Sequence, residues 1–396
     1  MGFFSLFRKS SQSLTLLIDV GSASVGAALV SLNHGNIPAV HYTARTPINI
    51  SGNSDSAQGI QALSLSLSSV LGRVQKALKV APAGSVDSIS VILAAPWCIS
   101  RTKLIEIKEK EPVEVTKSFF DSLVRREEEA VNSELVESAT SNLFKGESTL
   151  IEKRIIQTKL NGYPTADPYD KWSRMIETSI FIGIAPKEFL RLIEKIIDNF
   201  FHVRHTDFHS FVLASFSAVS DIFSSELDYG IMDVTGEATN LSFTRDGSLT
   251  ESFVIPYGKH SLVRHLAQNL NVPTQVALSY LKLFAENNIE SKLGKDIESF
   301  LADEKIEWQK ALESSMKRQF SLPSSSKLFI TADQEIAGAF WEFISSPNRE
   351  TAKLSFTPVL LNSQALASFL SFSPKAAPDA VLSLEALYVN KLFSGE

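Results

Sequence analysis

Two short segments, one in each half of the chain, carry residues whose types and order suit phosphate chemistry. Each follows an apolar run that ends in an aspartate, Asp19 or Asp233, and then turns through glycine and hydroxyl residues into a second apolar run. A tight glycine turn presents backbone N–H groups to a phosphate, and an adjacent carboxylate can hold Mg²⁺ through water. The repetition predicts a phosphate-binding hairpin in each half of the chain.

The elements around the first hairpin are predicted to form an α/β domain. Apolar periodicity indicates three strands, a helix with one wide apolar face, and a further buried strand. They are predicted at Leu14–Val20, Val25–Leu32, near Ala39–Ala44, Gln61–Val80 and Ser88–Ala95. This order is typical of a domain with a mixed sheet.

The middle of the chain changes pattern, and the second half then repeats the opening. The middle elements are predicted as a charged helix, two strands, a helix and a short strand at Thr116–Leu135, Leu150–Leu160, Ser173–Ile184, Pro186–Phe200 and Val203–Asp207. They indicate a compact α+β unit inserted into the first domain. The second half is predicted as strands at Tyr229–Val234, Ala238–Thr244 and Lys327–Thr331, with helices at His260–Leu270, Thr274–Asn288, Lys295–Phe320 and Ile336–Ile344.

The two hairpins, DVGSAS and DVTGEAT, together with the later strand FIT and its helix, resemble the actin-like ATPase superfamily. The inserted unit, the returning segment FHSFVLASFSAV and the segment SFVIPYGKHSLVRHLAQNLNVPTQVALSYLK are similar to the FtsA and PilM type of this superfamily. The resemblance implies an α/β, two-lobed actin-like (ribonuclease H-like) fold around a nucleotide cleft, with an α+β subdomain inserted in the first lobe. The implied division is an N-terminal segment at 1–13, a first lobe at 14–100, the insertion at 101–204, a return helix at 205–226, and a second lobe at 227–396 with a helical subdomain around 259–326.

The resemblance also implies the residues of the nucleotide site. Those that match are Asp19, Gly21, Ser22 and Ser24 in the first hairpin and Asp233, Thr235, Gly236 and Thr239 in the second, with Asp19 as the Mg²⁺ residue. Several positions depart from the family pattern. Gly26 stands where a basic residue is usual, Thr235 and Glu237 replace glycines, Asn240 replaces an aspartate, and Thr331-Ala332-Asp333-Gln334 replaces the adenosine glycines.

These departures weaken the case for catalysis. Only glycine lets the backbone approach a phosphate closely, and Glu237 adds negative charge where phosphate would sit. Three states stay open from the sequence: ATP hydrolysis, binding of ATP with Mg²⁺ without useful turnover, and a cleft that takes no nucleotide. We expect weak or absent binding and hydrolysis, and therefore no enzyme.

The function implied by the resemblance is that of a scaffold linking cytoplasmic partners to the membrane, with possible self-association. The loop LNGYPTADPY and the long insertion favour an FtsA-like role in cell division. The N-terminal MGFFSLFRK and the absence of a basic amphipathic ending support the PilM-like alternative in type IV pilus assembly. A sugar-kinase-like phosphotransferase is a third alternative, which the altered glycines disfavour because a kinase needs an intact phosphate cradle.

Two segments are candidates for contacts with partners. Tyr163, Tyr169 and Trp172 in the insertion are predicted to bind a protein partner; alternatively, they only cover their own sheet. The N-terminal segment carries apolar residues followed by two basic ones: Phe3, Phe4, Leu6, Phe7, Arg8 and Lys9. They are candidates for peripheral contact with the inner face of the cell membrane, the alternative being a disordered or partner-bound tail.

Composition excludes several classes. The net charge of −6 argues against a general nucleic-acid binder, and the single cysteine, Cys98, allows no intrachain disulfide and fits a reducing cytoplasm. No apolar run is long enough to span a bilayer. His202, His205 and His209 could suggest a metal site, but their spacing across a strand-to-helix junction favours structural or surface roles.

Overall fold

The computed structural model describes residues 14–48, 56–80, 85–137, 147–203, 205–315, 326–345 and 356–395. The strands are β1 (Leu14–Val20), β2 (Ser24–Ser31), β3 (Ala39–Pro47), β4 (Val86–Leu93), β5 (Ile99–Val115), β6 (Ser148–Leu160), β7 (Tyr163–Thr165), β8 (Lys171–Pro186), β9 (Thr206–Ser210), β10 (Tyr229–Val234), β11 (Thr239–Arg245), β12 (Ser248–Ile255), β13 (Ser326–Ala332), β14 (Phe356–Leu360) and β15 (Ser371–Phe372). The helices are α1 (Ser56–Val80), α2 (Lys117–Glu137), α3 (Lys187–Asp198), α4 (Phe211–Ile222), α5 (Lys259–Leu270), α6 (Thr274–Ala285), α7 (Ser291–Ser315), α8 (Gln334–Ser345), α9 (Ser363–Leu366) and α10 (Ala380–Ser394). The predicted lipid-contacting residues Phe3 to Lys9 lie outside these ranges.

The first lobe is built on a six-stranded sheet in the order β15-β3-β2-β1-β4-β9. All seven residues of β1 are buried, because helices cover both faces of the sheet. Leu16 and Ile18 pack in the core that includes α1 and α3, whereas Leu17 packs in the core that includes α4 and α10. β1 is antiparallel to β2 and parallel to β4, which places its carboxyl end at the edge where the first hairpin turns.

The second lobe repeats this arrangement around a five-stranded sheet in the order β12-β11-β10-β13-β14. β10 is antiparallel to β11 and parallel to β13, as β1 is to β2 and β4. Met232 and Leu241 pack in a core with Trp308 and Phe340, which come from helices α7 and α8. The hairpin repeat predicted from the sequence is therefore present in both sheets.

The inserted subdomain forms an antiparallel sheet in the order β5-β8-β6-β7, with α2 against one face. β5 spans 17 residues and was not predicted, since its second half is rich in charged residues and mostly exposed. The opposite face of the sheet meets both lobes. Phe181 enters the core around α4 and α10, which contains residues of both lobes. Ser179 Oγ donates a hydrogen bond of 2.5 Å to the Leu249 carbonyl in β12.

The C-terminal residues return to the first lobe. β15 pairs in parallel with β3, and α10 contributes Leu384 and Tyr388 to the core that contains α4. The expected second lobe of residues 227–396 thus differs from the structure at its end, because α10 has buried apolar residues that are covered by the first lobe. Within the described residues, no helix is long and apolar enough to cross a membrane.

Candidate functional site in the cleft between the lobes

The carboxyl ends of β1 and β10 face a cavity of about 830 Å³ between the lobes. Ligands of α/β proteins characteristically bind outside the carboxyl ends of strands. Asp19, Gly21 and Ser24 line the cavity from the first hairpin, and Asp233 and Thr235 line it from the second. The structure therefore brings the two predicted hairpins together at one site.

In the first hairpin, the buried Asp19 carboxylate is bound by an arginine that sequence analysis did not identify. Arg45 Nη1 donates to Asp19 Oδ2 at 2.6 Å and to Ser24 Oγ at 2.8 Å. Arg45 also holds Asp379, with Nε donating to Oδ2 at 2.7 Å and Nη2 to Oδ1 at 3.1 Å. Burial and the nearby acids Asp379 and Asp333 raise the pKa of Asp19, and Arg45 opposes that shift.

Gly26 explains how this arginine reaches the site. Gly26 in β2 is the direct strand partner of Arg45 in β3. A Cβ atom at Gly26 would lie 2.8 Å from Arg45 Nη2, so the missing side chain leaves the space that the guanidinium fills. The basic group that the family places at this position is absent from β2, and the neighbouring strand supplies one instead.

In the second hairpin, Glu237 does not project its charge into the cavity as the sequence suggested. Arg264 in α5 donates to both oxygens of Glu237, at 3.0 and 2.9 Å, and His260 Nδ1 lies 3.0 Å from Oε1. Burial alone would raise the pKa of Glu237, but these hydrogen bonds and the Arg264 charge lower it to about 2. Glu237 is thus an ionised residue compensated by α5.

The turns of the two hairpins touch each other. Ser22 Oγ donates to Thr235 Oγ1 at 3.1 Å, and the Glu237 N–H donates to Ser22 Oγ at 2.9 Å. A Cβ atom on Gly236 would lie only 2.6 Å from the Ser22 carbonyl carbon. No phosphate fits between Ser22 and Gly236 in this arrangement, because protein backbone already fills the space.

Asp233 is the most unusual carboxyl group of the cleft. Thr331 Oγ1 donates to its Oδ1 at 2.7 Å, while its buried Oδ2 has no hydrogen-bond partner among the described residues. Burial raises the pKa of Asp233 to about 7. Its strand partner Asn240 also has a buried side-chain nitrogen without a hydrogen bond in the described part of the chain.

At the end expected to hold adenosine, acidic side chains are paired with a lysine. Lys259 Nζ, at the start of α5, donates to Asp333 Oδ2 and to Glu335 Oε1, each at 2.6 Å. Burial would lower the pKa of Lys259, but the two carboxylates raise it. Asp333 is therefore paired with a counter-charge from α5.

These contacts do not fit a magnesium–nucleotide complex. Asp19, the expected Mg²⁺ residue, is bound to Arg45, and the hairpin turns are in contact. Among the described residues that line the cavity, Arg45 is the only base, whereas Asp19, Asp233, Asp333 and Asp379 are acids. A triphosphate would meet unfavourable charge there.

The remaining candidate residues take different positions. Thr239 is buried away from the cavity lining and donates to the Tyr257 carbonyl at 2.7 Å. Sequence analysis did not identify three residues of this site, Arg45, Asp379 and Lys259. The absence of a basic residue at Gly26 was a signal that the neighbouring strand could supply one.

The other reactive side chains are accounted for by structural contacts. His209 Nδ1 lies 3.1 Å from Oε1 of the buried Glu152, and His205 Nε2 lies 2.9 Å from Asp207 Oδ1. The part of the chain described by the structure contains no group of three or more residues arranged to hold a metal ion. Cys98 is buried, and burial raises the pKa of its thiol to about 12.

The proposed partner-binding aromatics differ in exposure. Tyr163 is 78% exposed and Trp172 is 64% exposed, whereas Tyr169 is 40% exposed. The Tyr169 ring packs edge-on against Phe120 of α2 at a centroid distance of 5.8 Å. Tyr169 therefore also covers its own subdomain, while the other two aromatics are open to solvent.

Comparison with known proteins identifies the architecture. No protein-family model and no curated protein matches the sequence. Among solved structures, a chain of the PilM–PilN type IV pilus biogenesis complex aligns with a TM-score of 0.58 and 15% identity, covering 97% of this chain and 98% of that one. The fold is actin-like. The ethanolamine utilization protein EutJ from Carboxydothermus hydrogenoformans aligns with a TM-score of 0.44 and 11% identity, covering 95% of this chain and 89% of its own. A Bacteroides thetaiotaomicron protein with an actin-like ATPase fold and unknown function gives 0.38 and 10%, covering 98% and 99%.

Proposed function

We propose that this chain is an actin-fold scaffold of the PilM type, which assembles with a protein partner at the inner face of the membrane. The carrying observation is the alignment with a pilus-complex chain over nearly the full length of both proteins. The cleft supports this proposal, because Arg45 and Lys259 are bound to carboxylates of the protein rather than arranged around a polyphosphate. A sugar-kinase-like activity is disfavoured for the same reason.

The inserted subdomain, proposed for residues 101–204, is the part we assign to partner binding. One face of its sheet packs on the lobes and the other is covered by α2, so its exposed aromatics lie outside both cores. Tyr163 and Trp172 offer large apolar surface at low entropic cost, a property of side chains that dominate protein interfaces. We propose that they contact the partner together with Tyr169, whose ring also packs against Phe120.

The test is co-purification of the tagged full chain with a PilN-type subunit from the same organism. The parent chain should retain the subunit, and a Tyr163→Ala, Trp172→Ala double variant should lose most of it. Trp341→Ala is the matched control, because Trp341 is a 40% exposed aromatic in α8 of the second lobe. Failure of the parent chain to retain the subunit would refute the pilus assignment, and equal retention by the double variant would refute the proposed surface.

The FtsA-like role in division stays a prediction from the sequence. The same co-purification with a tubulin-like division protein tests it directly. Retention of that protein, but not of the PilN-type subunit, would replace the pilus proposal by the division one.

A further inference from the structure

Arg45 joins three separate parts of the first lobe. Its guanidinium, carried by β3, binds Asp19 at the end of β1 and Asp379 at the start of α10. Four of the five N–H groups of the guanidinium are committed to these contacts and to Ser24, and the bond to Asp379 uses both carboxylate oxygens. This side chain is therefore fixed between two carboxylates.

Asp379 is a second, independently held anion. It is the N-cap of α10, and its Oδ1 accepts a hydrogen bond of 3.0 Å from the Leu382 N–H. Burial would raise the pKa of Asp379, but Arg45 and the helix cap hold it below its usual value. Asp379 thus stays ionised beside the cavity, where it needs a counter-charge.

A further carboxyl group, that of Glu385, is buried close to Asp19 and Asp379, so an unpaired negative charge there would be costly. Glu385 in α10 is fully buried, and neither of its carboxylate oxygens has a hydrogen-bond partner within the described ranges. Burial, reinforced by the charge of Asp19, raises the pKa of Glu385 well above its usual value, so this neighbour is held neutral. Removal of Arg45 would leave Asp19 and Asp379 without a base among the described cavity-lining residues.

We propose that Arg45 is a built-in counter-ion that replaces the divalent cation of a nucleotide-binding actin-like protein. Carboxylate oxygens at the mouth of a phosphate cleft are typical ligands of Mg²⁺. Here the guanidinium supplies the positive charge, Gly26 leaves room for it, and the Ser22–Gly236 contact fills the space between the turns. The first lobe is consequently held together around the cleft without metal or nucleotide. This proposal is independent of which partner the scaffold binds.

The experiment measures thermal unfolding of the full chain in EDTA, in Mg²⁺, in Mn²⁺ and in Mg²⁺ with ATP, with potassium chloride matching the ionic strength. The parent chain should give the same Tm in all four solutions. Arg45→Ala should lower the Tm in EDTA by roughly 4–6 °C, because removing one partner leaves a buried charge unpaired. Mg²⁺ or Mn²⁺ should recover part of that loss, since a divalent cation can again neutralise Asp19 and Asp379.

Two further variants separate charge from packing. Arg45→Lys keeps the charge but cannot form the two-oxygen bond to Asp379, so its Tm should fall without any response to divalent cations. Arg191→Ala removes a solvent-exposed ion pair to Glu188 and should leave both the Tm and the metal response of the parent unchanged.

Saturable stabilisation of the parent by Mg²⁺ with ATP would overturn the proposal, even if Arg45→Ala does not fold. An unchanged Tm of Arg45→Ala in EDTA, or its failure to respond to divalent cations, would also overturn it.

Discussion

The contact between the two hairpin turns predicts a large effect of the single substitution Gly236→Ala. The added Cβ would lie 2.6 Å from the Ser22 carbonyl carbon, 2.7 Å from the Ala23 nitrogen and 2.7 Å from the Ser22 oxygen. All three are backbone atoms, so no flexible side chain can move aside. Since non-bonded carbon contacts are optimal at about 3.5–4.0 Å, the turns must separate by roughly 1 Å.

That separation has a cost that can be estimated from the structure. Overpacking typically destabilises a protein by about 1–3 kcal/mol. The movement also stretches the two hydrogen bonds of Ser22 to the second hairpin, each worth about 0.5–1.5 kcal/mol. We therefore expect the free energy of unfolding to fall by about 2–6 kcal/mol. With an unfolding entropy of about 2.1 cal/mol/K per residue over 396 residues, the Tm should fall by roughly 2–7 °C.

The assay is thermal unfolding without nucleotide and with EDTA, which separates two roles for this glycine. If Gly236 served only the approach of a phosphate, the substitution would not change the Tm under these conditions. Gly338→Ala is the matched control, because Gly338 lines the cavity between the lobes from α8 and a Cβ there meets nothing within 4 Å. Its Tm should stay the same or rise slightly, as alanine favours helix. Equal Tm values for the parent and Gly236→Ala would show that the turns are not packed against each other.

Three further predictions concern the cleft and the N-terminal segment. Phosphate release by the purified chain with Mg²⁺ and ATP should stay near background, and robust turnover that disappears in Asp19→Ala would contradict this. Asp233→Asn should stabilise the chain, more at about pH 8 than at about pH 5, as measured by urea unfolding. Burial raises the pKa of Asp233 from 3.8 to about 7, so the folded state favours the neutral acid. The stability that the neutral Asp233 contributes to the parent chain is fully present below a pH of 3.8. It is lost as the pH rises from there through about 7, by up to about 4 kcal/mol. A gain that does not depend on pH would contradict the assignment. Full-length chain should sediment with anionic liposomes in a salt-sensitive way, because Phe3, Phe4, Leu6 and Phe7 can enter the interface beside Arg8 and Lys9, and equal sedimentation of a chain lacking residues 2–10 would remove the membrane role.

Local patterns in the sequence were sufficient to predict the elements that carry the hairpins. β1 is found at the predicted residues, and β10 likewise, because an apolar run closed by a polar turn has few other solutions. The long strand β5 was missed for the opposite reason: its exposed, charged second half lacks an apolar pattern, and pairing with β8 alone makes it a strand.

The sequence by itself determined the repeated strand–aspartate–turn–strand unit, the α+β insertion and the positions, such as Gly26 and Glu237, that depart from the pattern it resembles. Only the tertiary structure decided which partners the residues at those positions have. Arg45 reaches Asp19 because β3 pairs with β2 in the register that sets it opposite Gly26, and Asp379 meets them because α10 returns to the first lobe. Glu237 is compensated because α5 places Arg264 beside it. Such pairings join residues far apart in the chain, so their charges are balanced by packing and strand register, which residue types and local spacing do not encode.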